Sequence, residues 1–348
     1  IDVRNPSDFA ARHAACAVNV ARAAVPTMDA ELLALTGGRD AAVGIYCYRG
    51  NWAGAAAVLT AAGHRRIDVD RELFGPDVGG GHLTLVAIVP GDFVAALEHF
   101  VDDVVWSEQS DYRRLLLDRH LFLNQRLAGY YQADTPPGNG FQQVAFPATQ
   151  RSGIFTHPFL LSLHSYHDNT SPIHRGVFLS RQVLGRILKP PPTAVAFKNE
   201  EFDPSLTMRE KVTELTKGNS CMECHRVINP VGFSLENFDA AGRHRSRDNK
   251  KPINTVSDYI TEDEEKLRVS SARDLASPAA GSKTAHRAFV THCFHHFTKQ
   301  SIDAYGPGTL ESLRAKFTES GYNIRSLLVE LTALAASHQV EGKPLAAQ

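Results

Sequence analysis

The sequence predicts a mainly α-helical protein with a small mixed N-terminal region. From residue 92 onward, apolar residues recur three and four positions apart, the spacing of the buried face of an amphipathic helix. Residues 285–300 and 324–336 repeat this spacing near the end of the chain. One apolar run, residues 83–89, follows three consecutive glycines and predicts a strand. No motif recurs at a fixed period, so solenoid and propeller architectures are disfavoured.

The predicted elements divide the chain into four regions. Residues 1–90 form an N-terminal region of unknown type, in which alanine-rich runs predict helices. Residues 91–200 are expected to form a helical domain, 201–250 a segment with the most distinctive chemistry, and 251–348 a C-terminal helical domain. Across the last boundary, residues 243–265 are rich in charge and poor in large apolar residues. We expect this polar stretch to be an exposed loop or linker.

The strongest chemical signal in the chain is the run Cys221-Met222-Glu223-Cys224-His225. Two cysteines three positions apart lie on one turn of a helix, where their thiols can add to the two vinyl groups of a haem. The imidazole of the next residue can then bind the iron. The run therefore predicts one covalently attached haem c per chain, bonded to Cys221 and Cys224, with His225 as the proximal iron ligand.

Three other interpretations of the two cysteines are a zinc half-site, a redox-active dithiol and a structural disulfide. Zinc requires two further ligands, preferably a second cysteine pair, and the sequence has no such pair. A thioredoxin-like dithiol would follow a strand in a strand–helix–strand unit, which the surrounding sequence does not predict. The complete five-residue pattern favours haem, so residues 201–250 become the predicted haem c-binding segment.

Composition and charge exclude several kinds of partner. With 37 basic against 38 acidic residues, the chain has almost no net charge, so neither nucleic acid nor an anionic membrane is expected as its main partner. No apolar run is long enough to span a bilayer, so no transmembrane segment is predicted. The chain begins with Ile1 rather than methionine, and we expect a processed or truncated mature form.

The haem motif also predicts where the protein works. Bacteria attach haem covalently outside the cytoplasmic membrane, so we expect a periplasmic or extracellular location. The implied partners are a redox protein or a larger extracytoplasmic complex. In oxidising surroundings Cys16 and Cys47 could form a disulfide, and two buried free thiols are the alternative. Cys293 then has no partner and is expected to be buried.

Further sequence runs on both sides of the motif extend this interpretation. They are Ser110-Asp111-Tyr112-Arg113, Leu123-Asn124, Arg126-Leu127-Ala128, residues 151–157, Thr170-Ser171-Pro172, Arg175-Gly176, the prolines 190–192, Asn229-Pro230, Gly232-Phe233, Leu235-Glu236-Asn237-Phe238-Asp239, Gly242-Arg243 and residues 289–300. In these runs the chain from about Glu98 to its end resembles the planctomycete-type cytochrome c proteins, bacterial haem c proteins built from consecutive domains of unknown function. The resemblance implies extracytoplasmic electron transfer, alone or coupled to a neighbouring catalytic domain or partner.

The residues after the motif could form a wall around the haem. Apolar side chains could cover the face or edge of the porphyrin, and basic side chains could pair with a propionate. Ordinary core contacts are the alternative explanation of the same aromatic spacing. The apolar candidates are Phe233, Leu235 and Phe238, and the basic candidates are Arg243 and Arg245.

The second axial ligand is less clearly indicated. An electron-transfer haem normally has two axial ligands, one of which is often methionine, but this chain has no methionine after Met222. Met208, on a helix predicted over residues 207–217, is the candidate distal ligand, with core packing as its alternative. Met28 lies in the unmatched N-terminal region. Histidines could ligate the iron instead or form a second metal site; they are His157, His164, His167, His174, His292, His295 and His296.

Three functions are compatible with these patterns. The leading hypothesis is a single-haem electron-transfer protein. A haem peroxidase or oxidase is an alternative, in which a vacant sixth position would be served by a distal histidine acting as acid and base. A structural haem-bearing subunit of a larger complex is another alternative, with residues 1–90 as its docking piece. No nucleophile triad, phosphate-binding glycine loop or paired-carboxylate pattern supports hydrolytic or nucleotide chemistry.

Overall fold

The computed structural model of the chain describes residues 42–45, 66–69, 90–134, 140–166, 169–188 and 197–337. Several predicted features lie outside these residues. They are the strand at 83–89, the N-terminal helices, Met28, His167 and the Cys16–Cys47 disulfide.

Helices dominate the described residues, which contain 11 α-helices and only short strand pairs. The mainly α-helical class predicted from the apolar spacing is therefore confirmed. One π-helical turn, Leu179–Val183, continues the fifth helix. The helices are α1 Pro90–Val105, α2 Tyr112–Leu117, α3 Gln125–Tyr131, α4 Pro158–Leu163, α5 Pro172–Phe178, α6 Met208–Leu215, α7 Asn219–Phe233, α8 Ala272–Ala279, α9 Lys283–Thr298, α10 Thr309–Glu319 and α11 Ile324–Ser337.

The strands of the described segments pair two by two and form no larger sheet. The first pair is parallel, and the other three pairs are antiparallel. The pairs are β1 Ala42–Ile45 with β2 Arg66–Val69, β3 His120–Leu123 with β4 Gln142–Ala145, β5 Arg247–Asp248 with β6 Lys251–Pro252, and β7 Ser257–Ile260 with β8 Lys266–Val269.

Two stretches predicted to be helical or unstructured contain strands instead. In β3, Leu121 and Leu123 are buried and alternate with half-buried neighbours, so burial there has the period of two that a strand requires. The prediction of an exposed linker over residues 243–265 is wrong in part, because this stretch forms one short hairpin and most of a second. Tyr259 is buried and pairs with Leu267 across the second hairpin, which gives that hairpin an apolar side.

One apolar core joins helices from before and after the motif. Side chains with no exposed surface come from five different helices, namely Val104 of α1, Leu116 of α2, Val231 of α7, Phe294 of α9 and Leu331 of α11. The last three helices of the chain also pack against one another. The motif-bearing helix α7 is therefore fixed in a core to which both flanking parts of the chain contribute.

Helices α5 and α7 pass so close that their backbones touch, and two glycines make this crossing possible. A Cβ atom added at Gly232 of α7 would overlap the carbonyl oxygen of Pro172, and one added at Gly176 of α5 would overlap that of Ile228. Closely packed interiors cannot absorb such overlaps without backbone shifts. The two contacts also show that α5 and α7 run antiparallel.

Helix α6 begins where the sequence predicts a helix. Thr207 Oγ1 accepts a hydrogen bond from the backbone N–H of Glu210, while the Glu210 carboxylate accepts one from the backbone N–H of Thr207 at 2.7 Å. This reciprocal capping box satisfies two donors at the start of the helix. Met208 and Val212 of α6 then pack against Phe233 at the end of α7. Helix α6 is thereby fixed beside the motif-bearing helix.

Candidate haem-attachment site

The motif lies in the first two turns of α7, which differ from the rest of that helix. Residues 219–226 are exposed or half-buried, whereas every residue from 227 to 233 is buried. The buried part packs against α5 and the main core. A rigid anchor therefore holds the motif at the protein surface.

Cys221 and Cys224 are both half-buried and unpaired. As residues i and i+3 of a helix, they lie about 60° apart around the axis and about 4.5 Å apart along it. Gly218 is the N-cap of α7, and a Cβ atom added there would lie 3.8 Å from Cys221 Sγ. The two thiols therefore share one side of the first turns, as attachment to the two vinyl groups of a single haem requires.

His225 follows the second cysteine, and a chain of hydrogen bonds holds its ring. His225 Nδ1 lies 2.9 Å from Asn229 Oδ1. Asn229 Nδ2 donates to Thr216 Oγ1 at 2.9 Å, and the Thr216 hydroxyl donates to the carbonyl oxygen of Val212 at 2.8 Å. With Nδ1 engaged, Nε2 is the nitrogen available to iron. Two thiols and one oriented imidazole form a donor set that fits a c-type haem.

Met208, a candidate distal ligand, is buried where α6 contacts the C-terminal end of α7, away from the motif. Its side chain is 3% exposed and packs against Val212 and Phe233. Phe233 lies eight residues beyond His225, which corresponds to about 12 Å along the helix axis. The observed contacts account for Met208 as a packing residue. Its role as a distal ligand stays a prediction, and ligation would require the first turn of α6 to move.

The apolar residues predicted to line the haem are buried among protein side chains. Leu235 and Phe238 belong to the main core, and Phe233 packs with Met208 and Val212. Protein contacts therefore already explain the burial of all three predicted wall residues. Their contact with a haem stays a prediction.

The two arginines predicted to pair with a propionate already have carboxylate partners. Arg243 Nε donates to Asp239 Oδ2 at 2.7 Å. Arg245 pairs with Asp248 at 3.0 Å and with buried Glu236 at 3.3 Å. A haem propionate would have to compete with these carboxylates, so the structure favours a structural role for both arginines.

The described histidines of the two predicted clusters do not form a metal site. No group of three or more histidine, cysteine, aspartate or glutamate side chains in the described parts of the chain is arranged to hold a metal ion. His157 is buried, and burial lowers the pKa of its imidazole to about 3, so the ring is neutral at pH 7. His164 stacks on Phe178 with ring centroids 4.3 Å apart. The other described members are exposed, namely His174, His292, His295 and His296.

Asn229 and Thr216 were not among the site residues predicted from the sequence. Asn229 follows His225 by four positions, the spacing that brings two side chains together on one helical face, so this contact could have been anticipated. Thr216 precedes Asn229 by 13 positions and caps the C-terminus of a different helix. No local sequence pattern connects Thr216 to the motif.

The described residues form a mainly α-helical protein in which a Cys-x-x-Cys-His run lies on an anchored helix at the surface. Residues 151–248 match the model of the family PSCyt3, described as a protein of unknown function (DUF1588). The resemblance to planctomycete-type cytochrome c proteins is thereby confirmed over this segment, which contains helices α4 to α7. No curated protein and no solved structure matches the chain. None of the described helices is both long and apolar enough to cross a membrane.

Proposed function

We propose that the protein is an extracytoplasmic c-type cytochrome that carries one covalently attached haem and transfers electrons. The observation that carries the proposal is the position of Cys221, Cys224 and His225, all half-buried, in the first two turns of α7, whose remaining turns are fully buried. The match of residues 151–248 to a planctomycete cytochrome c family supports the same function. When bound, the haem supplies one-electron chemistry.

Different residues of α7 would bind the porphyrin and the iron of the haem. Cys221 and Cys224 would form the two thioether bonds, and His225 would bind the iron through Nε2. Because the residues in the first two turns of α7 are exposed or half-buried, a haem attached there would keep an edge accessible to a redox partner protein or complex. Because the last two turns are buried, the attachment geometry would stay constant during oxidation and reduction.

Mass spectrometry of the denatured protein tests the attachment. Protein from a host with haem c maturation machinery should carry the added mass of one haem, and the double variant Cys221→Ala, Cys224→Ala should lose it. Cys293→Ala is the matched control, because that cysteine lies half-buried on α9, where burial raises the pKa of its thiol to about 12. An apoprotein mass for the wild type in such a host would overturn the proposal.

The optical spectrum of the ferric protein tests electron transfer separately from attachment. A six-coordinate low-spin haem is expected, because an electron-transfer site keeps both axial positions filled. A five-coordinate high-spin haem that binds carbon monoxide after reduction would instead favour the peroxidase or oxidase alternative. In that case the attachment would stand and the electron-transfer assignment would fail.

A further inference from the structure

We propose that Asn229, held in place by Thr216, is a positioning residue that sets the orientation of His225 and its electron-donating strength toward haem iron. This inference rests on the proposed function and deepens it, because it assigns control of the reduction potential to two residues outside the motif. The observation behind it is the hydrogen-bonded chain from the Val212 carbonyl through Thr216 and Asn229 to His225.

The direction of each hydrogen bond follows from the first member of the chain. The carbonyl oxygen of Val212 can only accept, so Thr216 donates its single hydroxyl proton to it. The Thr216 oxygen can then only accept, and the NH2 group of Asn229 must face it. Oδ1 of Asn229 therefore faces His225, whose Nδ1 must carry the proton. His225 is thus the Nδ1–H tautomer, with its lone pair on Nε2.

Burial makes this arrangement difficult to reverse. Asn229 is 7% exposed and Thr216 is 3% exposed, so water has little access to compete for their hydrogen bonds. Rotating the Asn229 amide by half a turn would place its oxygen against the Thr216 oxygen, whose proton is already used. A buried acceptor without a donor is unfavourable. Thr216 therefore keeps the acceptor atom of Asn229 directed at the imidazole.

The hydrogen bond has a consequence at the iron. An imidazole that donates its second N–H to an acceptor becomes a more basic ligand. A more basic ligand stabilises ferric iron more than ferrous iron, and the reduction potential falls. If Asn229 and Thr216 only joined α6 to α7, their replacement would lower stability and leave the potential unchanged.

The test compares the reduction potentials of haem-loaded variants. Asn229→Leu removes the acceptor and should raise the potential, whereas Asn229→Asp supplies a stronger acceptor and should lower it. Thr216→Val releases the Asn229 amide and should shift the potential upward by a smaller amount than Asn229→Leu. Thr216→Ser keeps the hydroxyl and should have the same reduction potential as the wild type.

Proton NMR of the reduced protein gives an independent readout. The wild type should show a slowly exchanging His225 Nδ1–H signal, and this signal should exchange faster or disappear in Asn229→Leu. Thermal melting of the same samples separates loss of fold from loss of the hydrogen bond. If either Asn229 variant fails to fold, the difference in reduction potential between Thr216→Val and Thr216→Ser still tests the proposal.

Two failures can be distinguished. If the wild type carries no haem, the proposed function fails, and the inference fails with it. If haem is attached but the wild type, Asn229→Leu and Thr216→Val share one potential, only the inference fails. If the two variants also melt at a lower temperature than the wild type, the hydrogen-bonded chain stabilises the fold and does not tune the iron.

Discussion

The two parts of α7 differ in both accessibility and packing. Residues 219–226 are exposed or half-buried and carry two half-buried, unpaired thiols and one half-buried imidazole. Residues 227–233 are buried, and among them Ile228 and Gly232 touch the backbone of α5. Covalent attachment of a large cofactor requires access, and a constant ligand geometry requires rigidity. Helix α7 would meet both requirements, because its thiols and imidazole lie at the accessible end and its packing contacts at the other end.

Replacing Gly232 should have the largest effect on stability. In Gly232→Ala the added methyl group would overlap the carbonyl oxygen of Pro172, so we expect a loss of about 3 kcal/mol or more. Gly218→Ala is the control at the exposed end of the helix, where the nearest atom is Cys221 Sγ at 3.8 Å. It should cost less than about 1 kcal/mol. Urea unfolding measures the loss of stability in both variants. Equal losses would show that the two ends of α7 are equally constrained.

Substitutions of Met208 test whether this residue, which is buried between α6 and α7, also binds the haem iron. Met208→Ala should destabilise the protein by about 2 to 3 kcal/mol, because it leaves a cavity beside Val212 and Phe233. Met208→Leu keeps the volume and should recover most of this loss. If Met208 is only a packing residue, both variants keep the wild-type haem spectrum. A change from low-spin to high-spin haem in Met208→Leu would instead identify Met208 as the distal ligand.

Glu236, just after α7, should make stability depend on pH. It is 2% exposed, and burial raises the pKa of its carboxyl above the usual range, against the opposing effects of Arg245 and Arg175. The folded protein therefore binds this proton more tightly than the unfolded chain does. The resulting stabilisation is complete below the ordinary glutamate pKa of about 4.3 and is lost as the pH rises through the raised value.

Glu236→Gln should remove this pH dependence, because the amide cannot ionise. The free energy of unfolding of Glu236→Gln, relative to the wild type, should therefore increase between pH 4 and pH 7. Glu223→Gln on the exposed part of α7 removes the same charge and is the control. Denaturant unfolding at several pH values gives the free energy of unfolding of the three proteins. If this free energy depends on pH in the same way for the wild type and Glu236→Gln, the prediction is wrong.

The smallest effect is expected at Met222, between the two cysteines. This side chain is 38% exposed, and Met222→Leu conserves its volume, so stability should change by less than about 0.5 kcal/mol. Haem attachment should be retained, because the two thiols and the imidazole stay in place. Loss of the haem mass in this variant would show that the exposed part of α7 is more constrained than its burial indicates.

Local sequence patterns predicted the helical body and the place of the motif. The apolar spacing after residue 92 predicted α1, and the spacing near the end of the chain predicted α9 and α11 within about two residues. Thr207 with Glu210 forms a capping box that starts α6. These signals involve residues less than two helical turns apart, so they can be recognised without knowledge of any tertiary contact.

Other features could not be obtained from local patterns. Leu121 and Leu123 form a strand inside a run with helical spacing, because β3 pairs with residues some twenty positions later. The hairpins after residue 243 likewise depend on pairing between strands. A periodic pattern specifies which side of a helix or strand is apolar. The strand or helix that it pairs with or packs against is specified only by contacts between residues distant in sequence.

The chemistry of the candidate site could be predicted from local sequence, since Cys221, Cys224 and His225 lie within five consecutive residues at one end of a helix. The surroundings of these residues depend on the tertiary structure. It buried the predicted haem wall in the core, gave the two arginines carboxylate partners, and brought Thr216 to Asn229. The reason is physical. A covalent motif needs only neighbouring residues, whereas burial and hydrogen-bond partners depend on how separate helices pack.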